Sequence, residues 1–346
     1  MTTKQFFSKL LMGMSLAIVV TLIPNALLGE LMKMLIPRFP ELQVILDMTI
    51  VTMGLLPVIM GVLVGIQFEL PTLQVASIGL ATFIGSGVVQ KTEEGLLTLQ
   101  GIGVVINAGF TAAIAVLFVM WVGTRLKSYS ILLLPTLTIL GPGFVGLLVL
   151  PYVQAVTLTL GDGINYVTTL QPVIMGALLA IIFCFIILSP LSTVGVATVV
   201  MLSGISAGAA NLGIVAAGVG LAIASYRVNS LGTALAHVLG SPKIQMRNFF
   251  MKPKIALPMF ITAAILGGLA GVFNIQGTPY SAGFGMSGLV GPLNYINLAG
   301  GWTMTNTLIM LLVFFVLPIV LNASLLRLFS RQIPWIQSKD YKIDVQ

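Results

Sequence analysis

Apolar residues run almost unbroken for about 20 positions at a time, and such runs recur from one end of the chain to the other. A run of that length crosses a hydrocarbon core as a helix. The candidate spans are residues 10–28, 44–66, 71–90, 100–122, 130–150, 164–188, 192–207, 211–225, 255–275 and 303–326. The first follows Lys4 and Lys9 as a signal peptide would, but it reaches Leu28 without a small-residue cleavage site and reads as a span. The pattern predicts an all-α polytopic membrane protein with about ten transmembrane helices.

Composition agrees: hydrophobic residues make up 58% of the chain and charged residues 7%, against about a quarter charged in a soluble domain. A water-facing surface cannot be covered with so few charges. The net charge of +7 is a topology signal, not a nucleic-acid patch, because the cations sit in short loops and at the two ends. An even span count puts both termini on one side, and Lys4, Lys9, Arg327, Arg331, Lys339 and Lys342 make that side cytoplasmic. Arg125, Lys127 and the basic segment with Arg227, Lys243, Arg247, Lys252 and Lys254 fall on the same side, whereas Lys33 and Arg38 do not. Cys184 is the single cysteine, so thiolates cannot build a disulfide, zinc cluster or iron–sulfur site. No metal and no cofactor is expected.

Internal repetition is the most informative feature. PVIMG occurs at 57–61 and again at 172–176, with Asp47 and Asp162 ten residues before each proline. SIGLAT ending at Thr82 answers TVGVAT ending at Thr198, and Thr21 and Gly29 match Thr138 and Gly146. Four spans per copy make a parallel duplication, both copies entering the membrane in one orientation. The expected division is residues 1–126, a first four-span repeat; 127–227, a second; and 228–346, a basic cytoplasmic segment, two spans with a re-entrant hairpin, and a tail.

That hairpin is read from residues 277–301, too apolar for a solvated loop and too rich in glycine for a stable helix. Irregular backbone at membrane depth is tolerated where it is buried in protein or lines a wet cavity; a loop dipping into the headgroups is the plainer alternative. Substrate-binding candidates are Tyr280, Ser281, Phe284, Gly285, Ser287, Gly288 and Asn294, facing glycine-interrupted breaks at Ser86 and Ser206. Small residues at those breaks also suit plain helix packing. Asp47 and Asp162 fit structural caps as well as ion sites, and Glu69, Lys91, Glu93 and Glu94 read as solvated. His237, the lone histidine and a further substrate-binding candidate, lies in an amphipathic stretch able to fold back on the transport core or to serve structure alone. Tyr295 and Trp302 suit stacking on a sugar or interfacial anchoring. Catalytic residues are absent from the reading: no nucleophile with a base, metal cluster or P-loop stands out.

The basic loop, the segment GFGMSGLVGP at 283–292 and the repeated PVIMG resemble the integral-membrane IIC components of the bacterial sugar phosphotransferase system, specifically a stand-alone branch once labelled toxin regulators. The resemblance implies a homodimeric carrier in the bacterial cytoplasmic membrane that binds a sugar beside a re-entrant hairpin, with separate soluble IIA- and IIB-type proteins as partners. Well-known members place a glutamate in the hairpin; residues 283–292 here hold no acid, and neither a phosphocysteine nor a phosphohistidine domain is attached. The functions that compete are a carrier for a sugar or similar polar solute, a membrane sensor or regulatory protein on a carrier-derived fold, and a channel, which lacks a ring of acids.

Overall fold

The computed structural model describes residues 1–122, 125–279, 281–332 and 335–343. The chain forms two compact units, Met1–Val156 and Thr157–Gln346.

The first unit holds α1 (Thr3–Leu35), α2 (Gln43–Gly54), α3 (Leu56–Gln67), α4 (Thr72–Gly85), α5 (Val105–Val122), α6 (Ser130–Thr138) and the beginning of α7 (Phe144–Thr168). Thr2 and Gln5 start α1 with a reciprocal capping box, satisfying two backbone amides that a helix start leaves open. α2 and α3 meet at a bend of 50°, where Pro57 in the first turn of α3 lacks the amide that a continuous helix would need. α1 and α4 both pack on α3 through glycine: a Cβ on Gly13 would lie 2.6 Å from the Val64 Cα, and one on Gly61 2.7 Å from the Gly79 Cα. At the turn between α3 and α4, Glu69 accepts a 2.8 Å ion-paired hydrogen bond from Lys9, which lowers its carboxyl pKa. After α4 comes a small antiparallel hairpin, β1 (Val89–Lys91) with β2 (Leu97–Leu99), whose tip carries the exposed Glu93 and Glu94. α6 and α7 join through a π-helical turn, Ile139–Gly143, into one helix, Ser130–Thr168.

The second unit contains α8 (Pro172–Ile187), α9 (Thr193–Val199), α10 (Gly204–Ser225), α11 (Leu231–Leu239), α12 (Met246–Met251), α13 (Leu257–Val272), α14 (Val290–Leu298), α15 (Met304–Met310) and α16 (Leu317–Arg327). α15 and α16 are also continuous, through the π-helical stretch Leu311–Val316. The core is α8, α10 and α13, brought to backbone contact by small residues. A Cβ on Gly176 of α8 would run into the Gly267 carbonyl of α13, and one on Gly213 of α10 into the Ala180 carbonyl of α8. Close approach of this kind is how helices associate where lipid removes the hydrophobic drive. α10 is the enclosed one, with 89% of its apolar window buried.

Lys243 closes the end of α8. Its ammonium donates to the carbonyls of Ser189 (2.5 Å) and Leu191 (2.6 Å) in the turn after α8 and of Ile186 (3.4 Å) in its last turn. Burial lowers its pKa to about 7. The tail docks on the basic segment by main-chain acceptors: the Tyr341 carbonyl receives Asn229 and Gln245, each at 2.8 Å, and the Lys342 carbonyl receives Asn248 at 2.8 Å. The buried Tyr341 hydroxyl donates to the Ile255 carbonyl at 2.8 Å, and Lys252 pairs with Asp340 at 2.6 Å.

The all-α membrane class stands, with fewer full-length spans than the apolar runs suggest. Among the described residues six helices are long and apolar enough to cross a bilayer, or seven with the bent pair Pro40–Gly54 and Leu56–Gln67 taken as one span. α4 and α8, of 14 and 16 residues, rise about 1.5 Å per residue and fall short of a core about 30 Å thick. The run at 192–207 is not a span: α9 ends at Val199 and α10 starts at Gly204.

Candidate functional site

The loop between α13 and α14 is irregular and largely buried, and each of its turns has an identifiable cause. Gly283, Gly285 and Gly288 take left-handed φ of +99°, +62° and +58°, a region closed to most side chains. Gly283 lies against α9, where a Cβ would meet the Thr193 backbone at 2.7 Å, and Gly285 against α10, where one would meet the Ile214 side chain at 2.5 Å. Leu289 shares the left-handed region at φ +58°, at a cost of about 1–2 kcal/mol for a residue with a Cβ.

Side chains of two helices and one of the loop's own hold it in place. Thr193 of α9 donates to the Gly283 carbonyl at 2.7 Å, Asn211 of α10 accepts the Gly285 amide at 3.0 Å, and Ser287 donates to the Gly240 carbonyl after α11 at 2.7 Å. Gly204 and Gly277 exchange two backbone hydrogen bonds of 2.9 and 3.0 Å, lacing the start of α10 to the start of the loop. The loop is therefore a built element, with backbone groups at Gly277, Gly283 and Gly285 hydrogen-bonded within the unit.

Two polar atoms around it are not satisfied. His237 Nε2 and Asn294 Oδ1 are buried and have no hydrogen-bond partner among the described residues. His237 Nδ1 faces the Ala234 carbonyl at 3.1 Å, a contact that needs the proton on Nδ1 and leaves Nε2 as an acceptor. Burial lowers the pKa of the imidazole to about 4, so it is neutral at pH 7. Both orphaned atoms are thus acceptors, and no acid stands anywhere between Asp162 and Asp340.

The sequence candidates distribute as follows. Ser281, Phe284, Gly285, Ser287 and Gly288 lie in the loop, and Asn294 on α14. Ser281 is engaged locally, accepting the Thr278 amide at 2.8 Å and donating to the Thr278 carbonyl at 3.1 Å. Ser206 donates to the Ser203 carbonyl at 2.6 Å in the first turn of α10. Ser86 belongs to the first unit, where it donates to the Phe83 carbonyl at 2.7 Å. Tyr280 lies outside the described residues. Thr193, Asn211 and Gly240 were not anticipated, although Asn211 carried a signal: a lone amide in an otherwise Gly- and Ala-rich apolar helix.

Residues 8–343 match the family described as "Phosphotransferase system, EIIC". The chain belongs to that family. No curated protein and no solved structure matches it. An EIIC chain is the membrane component of a phosphotransferase system, and membership implies sugar transport together with phosphotransferase partners. Within this EIIC chain, acceptors lacking partners beside a loop without acids are chemically suited to hydroxyl donors and unsuited to anions.

Proposed function

We propose that this EIIC chain carries a neutral sugar through a site on residues 281–294 of the second unit, with His237 Nε2 and Asn294 Oδ1 accepting hydrogen bonds from sugar hydroxyls. The observation that carries the reading is that pair of buried acceptors without partners. Each costs about 1–3 kcal/mol while unsatisfied, which a hydroxyl-bearing ligand would offset. Gly285 and Gly288 set the left-handed turns of the loop beside the proposed ligand, and Tyr280, Ser281, Phe284, Ser287 and Ser206 remain the further candidates named from the sequence. The loop fits a re-entrant hairpin, enclosed here as in a carrier with its gate shut.

The same reading takes in the rest. PVIMG opens α3 and α8 alike, with proline in the first turn of each, and a buried Asn-x-Gly follows in α5 (Asn107, Gly109) and in α10 (Asn211, Gly213). The wider spacing in the first copy corresponds to the inserted hairpin β1–β2. These matches support duplicated units. The shared location of the α10 end, the basic segment and the tail supports a cytoplasmic face at that end of the second unit, the cations Lys4 and Lys9 put the N-terminus on the same side, and the working form is a homodimer. The proposed branch is the one the sequence resembles, and the proposed partners in phosphorylation are IIA- and IIB-type proteins.

The test is uptake of radiolabelled hexoses and hexitols by purified protein in vesicles, with and without soluble phosphotransferase proteins. At least one sugar should be taken up saturably, and His237→Leu or Asn294→Leu should each weaken its binding about tenfold, the equivalent of one hydrogen bond. No uptake of any sugar favours the sensor or regulatory reading. Uptake that both variants leave unchanged places the site elsewhere. For orientation, Gly232→Cys in a Cys184→Ser background should resist an impermeant thiol reagent in intact cells; ready labelling inverts the topology.

A further inference from the structure

A hollow lies at the basic end of the second unit, about 120 Å³ in volume, between the ends of α10 and α16 and the docked tail. Arg227, Arg327 and Arg331 line it, together with Ser330, Gln337 and the buried Tyr341. Arg327 and Arg331 are one helical turn apart on the continuous helix Met304–Arg331, so they stand on the same face. None of the three guanidinium groups has a carboxylate partner among the described residues. Asp340, the nearest acid in sequence, is taken by Lys252 at 2.6 Å and by the Gln337 amide at 2.7 Å.

Three like charges around a hollow repel one another, and an i,i+4 pair of cations is itself unfavourable on a helix. The ends of α10 and α16 bring only about −0.5 charge each, against three full positive charges. We propose that this hollow is a phosphoryl-anion site, its arginines clamping phosphate oxygens by paired N–H donors, the geometry for which the guanidinium fork is suited. Its volume decides the scale of the ligand. Pockets that enclose whole organic ligands run from about 300 Å³ upward, so this one takes a phosphoryl head while the remainder of the molecule stays outside. A small soluble phosphate and the headgroup of an anionic phospholipid share that chemistry. Because Gln337 and Tyr341 form one wall, an occupied site also holds the tail in place.

The site is independent of the sugar reading and is tested without transport. Full-length protein in phosphatidylcholine nanodiscs is titrated with radiolabelled inorganic phosphate, and exchange protection of residues 335–343 is followed in parallel. Phosphate should bind and protect the tail. Arg331→Gln should weaken binding about tenfold, Arg327→Lys should weaken it less, and Lys91→Gln, an equal loss of charge in the first unit, should leave it unchanged. Each variant is first shown to keep the wild-type melting temperature. Adding phosphatidylglycerol to the discs separates the sources: displacement of phosphate assigns the site to a lipid headgroup, persistence to a soluble phosphate. The proposal is overturned if neither phosphate binding nor phosphatidylglycerol retention responds to Arg331→Gln or Arg327→Lys, or if Lys91→Gln weakens binding equally.

Discussion

Both units interrupt a helical run and mend the break with a buried asparagine, but they use opposite ends of its amide. In the first unit the Asn107 Nδ2 donates to the Gly85 carbonyl, where α4 ends, and to the Gly146 carbonyl at 2.8 Å. The break there is sealed locally: the Val104 amide returns to the Ser86 carbonyl at 2.8 Å, and the chain leaves through a solvent-exposed hairpin. In the second unit Asn211 uses its oxygen, accepting the Gly285 amide from a loop distant in sequence. The first arrangement ties helices together. The second holds a loop with two unpartnered acceptors, His237 Nε2 and Asn294 Oδ1, beside it, whereas the first leaves one, Asn107 Oδ1, enclosed between helices.

The largest effect is expected at Asn107. Asn107→Leu removes two buried hydrogen bonds and strands the Gly85 carbonyl at the end of α4, which should cost about 4 kcal/mol at 1–3 kcal/mol per bond, read as lost stability on denaturation in detergent. Asn211→Leu strands one amide and should cost about 2 kcal/mol. A larger loss at Asn211 than at Asn107 would reverse the roles assigned to the two units.

The next effect belongs to pH and to the second unit alone. His237 drops from an ordinary value of 6.5 to about 4 on burial, so below pH 6.5 the unfolded chain binds a proton that the folded chain refuses. Stability is fully present above pH 6.5, is lost progressively as pH falls, and by pH 4 should be lower by about 3 kcal/mol. Denaturation curves from pH 6 to 4, below the titration of Lys243, should show that slope in the wild type and lose it in His237→Phe. In the first unit Glu69 has its lowered pKa at the exposed surface, so Glu69→Gln should leave the profile almost unchanged.

The smallest effect comes from relief of strain. Leu289→Gly removes the Cβ from a left-handed position and should stabilise the protein by roughly 0.5–1 kcal/mol once the added freedom of glycine in the unfolded chain is counted. A loss of stability would mean that the exposed Leu289 side chain contributes packing that outweighs its backbone cost.

Much of this was legible in the sequence, because apolar runs and glycine clusters report membrane helices and their interruptions directly. Residues 283–288 announced an irregular loop, and the structure puts left-handed glycines there. Span number was less legible, since composition does not reveal where an apolar run stops being helical: 192–207 looks continuous until Met201 takes φ +50°. The clamp on the loop is not legible in the sequence, because Thr193, Asn211 and Ser287 each meet a backbone group, which leaves no trace in side-chain identity. Tail docking was hidden for the same reason, resting on the carbonyls of Tyr341 and Lys342.

A nascent chain emerges from its N-terminus, so α8 and α10 are made before α13 exists. Until Gly267 arrives, the notch at Gly176 and Ala180 has no backbone to fill it, and lipid tails cannot fit a groove cut for a carbonyl. Assembly of the second unit thus waits on α13, which acts as its keystone. A ribosome stalled before Leu257 would leave a vacant glycine face in the membrane, a mark by which quality-control proteases could recognise the fragment.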